Sequence, residues 1–279
     1  MSKIHPTAII KSNVKLGENV IIEPYVVIKG NVIIGDNVTI KAHSYIDGNT
    51  TIGEGTVLYP SVNIGTQTQA RKYRGETTYV TIGKFCEIRE CVTINSSCGK
   101  ESTVSIGDYC LLMAYCHISH NCKVGDHVII ANGVMLGGYV KIEHHANIGG
   151  MTPIHQFVRI GCYAMVGGFS RVVNDIPPYT IGAGVPYRLG GLNLVGLKRH
   201  KFSLKLRKDL TKVFKLTYRN GYHLKEALCH IQKEVKASDE VQHWINFCQA
   251  SKRGLAGLQP AIRGTVDELL AFQQFLEES

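Results

Sequence analysis

From Ile4 onward, every sixth position of this chain carries a large aliphatic side chain. The series runs from Ile4 through Ile10, Leu16 and Ile22 to Ile64, and resumes at Ile82, Ile88 and Ile94. It then runs from Ile106 to Val172, with no polar residue among its members. Four places after each member there is usually a small or β-branched residue, as at Ala8, Val14, Val20 and Val26. Alternation would mark a half-buried strand and a 3.6-residue period an amphipathic helix; a period of six is neither. It suits a unit of one short strand and one turn, with the aliphatic and its partner four places on pointing inward. Glycines carry a longer period, since Gly17, Gly35 and Gly53 are 18 apart, as are Gly107 and Gly125. Three hexads therefore make one coil of a three-sided prism, and coils stack at the spacing of neighbouring strands, about 4.8 Å. Cys86, Cys110, Cys116 and Cys122 fall on inward positions and read as small apolar fillers.

Two polar stretches break the repeat, at about residues 66–81 and 95–105, and are expected to be loops leaving the prism. The repeat stops after Val172, at Asn174-Asp175-Ile176-Pro177-Pro178. Beyond it, Leu206, Leu210, Val213, Phe214 and Thr217 stand at helical spacing and predict a helix over 202–220, stopped by Gly221. Further helices are expected over 224–235 and 240–250, with another over 266–275. The expected organisation is an all-β prism over 1–191 and a basic α-helical domain with a C-terminal extension over 192–279.

Charge narrows the partners. The 279 residues carry a formal net charge of +9, most of it in the helical region, which favours an acidic partner or a phosphorylated substrate. A nucleic acid is not expected, because the basic tail has no recognisable reading motif. No apolar run approaches a transmembrane span, no signal peptide opens the chain, and the nine cysteines contain no CxxC pair. A cytoplasmic protein without a disulfide framework is expected.

Three hexads per coil also say which polar side chains stack. One coil on from His120 come Gly138 and Tyr139, and two coils on come His155 and Gln156. These groups should line one corner over two coil spacings, with His117 close by. A histidine at such a corner can exchange a proton near neutral pH.

The motifs narrow the reading further. The runs 117–122 (His-Ile-Ser-His-Asn-Cys), 148–157 (Ile-Gly-Gly-Met-Thr-Pro-Ile-His-Gln-Phe) and Gly196-Leu197-Lys198-Arg199 resemble the UDP-N-acetylglucosamine O-acyltransferases of lipid A biosynthesis, within the left-handed β-helix acyltransferases. The resemblance covers the prism and the helices to about Leu255. It implies a left-handed parallel β-helix, with trimers whose sites lie in the grooves between prisms. It also implies acyl transfer from acyl carrier protein to the 3-hydroxyl of UDP-N-acetylglucosamine, the first step of lipid A biosynthesis, with no cofactor or metal.

By the same resemblance His120 matches the general base and Gly138 the backbone oxyanion donor. His155 and Gln156 match groups holding the sugar and acyl donor, and Lys72 matches a lysine near the nucleotide sugar. His117 is expected to support the base. Asn193 and Arg199 match residues placed for the nucleotide and the carrier, and Gly168 the position that limits acyl length. The chain departs from the pattern in several places. An acidic residue after the base is here Asn121, a sugar-contacting histidine is Tyr139, and the second arginine of a Lys-Arg-Arg run is His200. The prism is shared with two alternatives, a zinc hydratase of the γ-carbonic-anhydrase kind and an N-acyltransferase relative. The first needs three histidine ligands, and only His117 and His120 lie close in sequence.

Overall fold

The structure, a computed structural model, describes residues 2–258. The helix expected over 266–275 lies outside the described residues. From Lys3 to Val166 the chain climbs a three-sided parallel β-helix, left-handed as expected. Face 1 holds the strands Lys3–Ile4, Leu111–Leu112, Ile129–Ile130 and their equivalents in nine rungs up to Met165–Val166, and faces 2 and 3 hold eight strands each. Most strands are two residues long, one side chain outward and the hexad aliphatic inward. Each rung hydrogen-bonds to the next: His117 N donates to Val134 O at 3.0 Å and Lys123 N to Val140 O at 2.9 Å. The register advances by one coil per rung, as in His117 opposite Met135 and Lys123 opposite Lys141.

Inside, the aliphatics stack into one dry column; Ile28, Ile64, Ile94, Leu112, Ile118 and Ile130 are wholly buried. The four interior cysteines are buried in it as expected. Each thiol points at a carbonyl of the neighbouring coil, and burial pushes Cys116 up to about 11 and Cys122 to about 12. All four are packing groups, and the raised thiols of Cys116 and Cys122 are weak nucleophiles.

The corners explain the longer glycine period. A β-carbon on Gly107 would lie 2.7 Å from the main-chain nitrogen of Asp126 in the next coil, so the first corner position must be bare. Two residues on, the chain turns with φ near +60°, a left-handed conformation that costs a non-glycine residue roughly 1–2 kcal/mol. At the corner between faces 3 and 1 that cost is offset by rings: Phe85, Tyr109, His127, His145 and Tyr163 stack with centroids 4.6–5.3 Å apart.

Both excursions leave at the corner between faces 2 and 3, and both are shorter than expected. Thr78–Ile82 and Ser102–Ile106 are strands of face 3, paired in register from Thr78 opposite Ser102 to Ile82 opposite Ile106. Their residues are polar, yet the two neighbouring insertions satisfy each other's backbone, so the loops shrink to about 67–77 and 96–101. The prism also continues past Val172. Thr180–Ala183 adds to face 1 in parallel, and Arg188–Leu192 closes it antiparallel.

Among the described residues four helices follow: α1 (Leu194–Arg199), α2 (Leu204–Tyr218), α3 (Leu224–Glu234) and α4 (Asp239–Gln249). The last three match the apolar spacing, and α2 and α4 begin on the caps Ser203 and Ser238. The short α1 has no apolar stripe to reveal it and is set by the Asn193 cap. Arg159 of face 3 ties α4 down, its guanidinium stacked on Phe247 and donating to the Phe247 carbonyl at 3.2 Å.

Replacing the wholly buried Ile130 with alanine leaves a hole between two coils. It is expected to lower stability by about 2–5 kcal/mol, seen as an earlier denaturation midpoint at fixed protein concentration.

Candidate active site

The register that pairs His117 with Met135 and Met135 with Pro153 puts His120, Gly138 and Gln156 in one stack at the corner between faces 2 and 3. His155 lies beside this stack, one position earlier, so Gln156 and not His155 is the direct successor of His120 and Gly138. The His120 ring lies across Gly138: a β-carbon there would stand 2.6 Å from His120 Nε2. Only glycine leaves room for the imidazole.

Two observations give this corner chemical direction. His120 Nδ1 is 2.9 Å from Asn121 Oδ1, so the amide oxygen accepts Nδ1–H and leaves Nε2 with its lone pair over Gly138. At the neighbouring corner the equivalent main-chain N–H groups are capped by carboxylates of the next coil, Lys84 N by Asp108 and Asp108 N by Asp126. The N–H of Gly138 has no such cap among the described residues. A proton acceptor and an unused backbone donor therefore face one small space.

The walls are built by the same stacking. The Tyr139 ring meets His120 edge-on at 5.3 Å and stacks on Phe157 at 4.8 Å. Lys72, on the first loop, donates to Tyr139 Oη at 3.1 Å, a bond that raises its ammonium pKa. The loop thus reaches a distant part of the chain at the same corner. His117 stands on face 2 between Thr93 Oγ1 at 2.7 Å and Ser119 Oγ at 3.1 Å, and burial lowers its pKa. Both its nitrogens are engaged.

The remaining expected site residues lie elsewhere on the chain. Asn193 caps α1, accepting from Gly196 N at 3.0 Å and donating to Tyr163 O at 3.0 Å. Arg199 ends that helix, and His200 packs on His145 and Tyr163 at 4.7 and 4.9 Å. All three belong to the corner between faces 3 and 1. Gly168 sits at the third corner, between faces 1 and 2. One chain brings Lys72, His117, His120, Gly138, Tyr139, His155 and Gln156 together, and leaves Asn193, Arg199, His200 and Gly168 apart from them.

A family profile described as UDP N-acetylglucosamine O-acyltransferase, domain 2, matches residues 175–256, and the bacterial transferase hexapeptide profile matches 31–66 and 103–138. A curated relative from Chlamydia abortus, named acyl-[acyl-carrier-protein]--UDP-N-acetylglucosamine O-acyltransferase, is 52% identical over 98% of this chain and 96% of its own. The chain belongs to the UDP-N-acetylglucosamine O-acyltransferase family. Among solved structures of the family, that of Bacteroides fragilis has a TM-score of 0.88 at 36% identity, covering 90% of this chain and 99% of the other. That of Francisella novicida has a TM-score of 0.87 at 33% identity, covering 92% and 95%. The likeness to the C. abortus enzyme overruns the limit expected at Leu255, since it takes in nearly the whole chain. The two alternatives on the same prism find no support in these relatives.

Sequence reasoning missed two neighbours of His120. Phe157 is visible in the same arithmetic, one coil on from Tyr139. Asn121 was noted only as the loss of an acid, yet it occupies a left-handed position that asparagine tolerates well, and its side chain reaches the ring.

The corner between faces 3 and 1 gives a pH prediction. Burial first, then the neighbouring imidazoles of His127, His200 and His144, lower His145 to about 4. A histidine held below its ordinary value takes up protons more readily when unfolded, so stability holds above about pH 6.5 and falls as pH drops toward 4. His145→Phe keeps the ring stack and is expected to flatten this decline, read from denaturation midpoints across that range.

Proposed function

We propose that the chain transfers an acyl group from acyl carrier protein to the 3-hydroxyl of UDP-N-acetylglucosamine, at the corner built on His120. The observation that carries this reading is the pairing of His120 Nε2 with the uncapped N–H of Gly138, in a chain of this family. His120 Nε2 takes the hydroxyl proton as the sugar oxygen attacks the thioester carbonyl. The carbonyl oxygen becomes an oxyanion and the Gly138 N–H donates to it. Collapse restores the carbonyl, breaks the carbon–sulfur bond, and the departing thiolate takes the proton back from His120. Asn121 fixes the tautomer that makes this possible. Lys72 and Tyr139 supply a cation and a hydroxyl for the nucleotide sugar, and His155 and Gln156 line the next coil for sugar and acyl donor. His117, with both nitrogens engaged, props the wall. An acidic carrier is favoured by the exposed Lys123 and Lys141, which with the half-buried Arg159 line a groove of about 1030 Å³ on face 3.

The chemistry of the faces favours a trimer. Around the coils that hold the site, outward positions are Leu111, Ile129, Asn147 and Met165 on face 1 and His117, Met135 and Pro153 on face 2, all uncharged or weakly basic, against Lys123, Lys141 and Arg159 on face 3. In a closed ring, face 2 of one prism meets face 1 of the next, a head-to-tail contact. The outer edge of face 2 is the His120 corner, and the outer edge of face 1 is the corner of Asn193, Arg199 and His200. The ring therefore brings together on two subunits what one chain holds apart, and a nucleotide bridges the seam. Gly168, at the edge shared by the two packed faces, borders the same seam, where a bare position lets a long acyl chain pass.

Incubating the protein with UDP-N-acetylglucosamine and acyl carriers of several chain lengths tests the activity directly. His120→Ala is expected to cut turnover by about 10²–10⁴-fold with the assembly intact by sedimentation. Unchanged turnover removes His120 from its role. The shared site has its own test, in co-refolded mixtures of His120→Ala and Arg199→Ala chains. Where each alone is impaired, random mixing restores intact pairs at about a quarter of the sites of a head-to-tail ring. No recovery in such mixtures contradicts a site made by two subunits.

A further inference from the structure

Among the described residues, one group of three side chains offers metal-ligating atoms within 4.8 Å of one another: Glu143, Cys162 and His243. It lies away from His120, where the corner between faces 3 and 1 meets α4. Glu143 Oε2 accepts from Cys162 N at 3.0 Å and lies 3.0 Å from His243 Nε2. Cys162 Sγ is 3.5 Å from His243 Nδ1, and Tyr179 Oη is 3.3 Å from the same nitrogen. The thiols of Cys86, Cys110, Cys116 and Cys122 all point at main-chain carbonyls. Cys162 departs from that habit, its thiol facing an imidazole delivered by a helix far along the chain. The acyl-transfer reading uses none of these groups.

We propose that Glu143, Cys162 and His243 form a zinc site that fastens α4 to the upper coils of the prism. One carboxylate oxygen, one imidazole nitrogen and one sulfur suit a borderline-soft ion, whereas magnesium and calcium call for oxygen alone. Zinc bonds of about 2.0–2.3 Å in a tetrahedron set ligand atoms roughly 3.3–3.7 Å apart. Here the three ligand atoms lie within 4.8 Å of one another, with Glu143 at Nε2 of His243 and Cys162 at Nδ1. The ring therefore turns to give the ion one nitrogen, and the ligands draw in around it. The half-buried Glu143 and His243 leave a way in, and a water completes the four ligands. On binding, a zinc–sulfur bond replaces the Cys162 S–H bond and the proton goes to solvent. Burial holds the free thiol up at about 12, so this proton is still present near neutral pH and its release is measurable. Without metal the same atoms make a closed network, with Nε2–H donating to Glu143 and Nδ1 accepting from Tyr179. The experiment must separate these two states. Zinc at this place lies apart from His120, so metal content alone says nothing about the acyl-transfer site.

Full-length protein stripped with a chelator and titrated with Co²⁺ provides the test. One equivalent is expected to produce a thiolate-to-cobalt charge-transfer band and release one proton, and Zn²⁺ should displace it. Cys162→Ser should abolish the band, and His243→Ala should weaken binding at least about tenfold. Cys229→Ser, at an exposed thiol on α3, should keep the band. No band in the unmodified chain overturns the site whatever the variants do. A band that survives Cys162→Ser overturns it equally, by placing the thiolate elsewhere.

Discussion

The register between coils is the constraint on which everything else rests. Each short strand directs its N–H groups to the rung one coil ahead, as Lys123 N does to Val140 O and Gly137 N to Ile154 O. Two-residue strands have almost no stability of their own; they exist because rungs stack and the hexad aliphatics fill the bore. A one-residue slip would turn those aliphatics outward along an entire face, so the register is enforced by burial as well as by hydrogen bonds. The wall that carries His120, Gly138 and Gln156 inherits that rigidity. Its spacing is a property of the backbone ladder, which is the support that groups needing sub-ångström placement require.

Once coil length is fixed, extra residues have few places to go. Both insertions leave at the corner between faces 2 and 3, in the two coils before that of His120, and return as paired strands on face 3. The helix therefore resumes in register, with Ile94 opposite Ile118 as though nothing had been added. The surplus chain is directed to one side of one corner. Lys72, borne on the first loop, touches Tyr139 because of that placement, although the two are far apart along the chain.

The prism was legible because the period of six tolerates no other reading, and the longer period of the glycines fixed the number of faces. The stack of His120 and Gly138 followed by counting. What counting could not supply were the features decided between segments with no common period. The inner strands of the two insertions depend on each other, α1 depends on a cap, and the Glu143–Cys162–His243 cluster depends on how α4 lands. Counting also gives the height of a residue along the prism without saying which corners a second chain would join. For that reason Asn193, Arg199 and His200 read as companions of His120 in sequence and lie at another corner in the fold.

Asn121 bears on how such a corner could work as a base. An amide oxygen on Nδ1–H fixes the ring's orientation and tautomer as a carboxylate would, but it carries no charge to stabilise the imidazolium formed when Nε2 takes a proton. More of the barrier must then be lowered at the oxyanion, where the Gly138 N–H is free of any cap among the described residues. The two features belong together: a neutral neighbour at the ring is tolerable where the backbone donor is already in place and committed to no other partner.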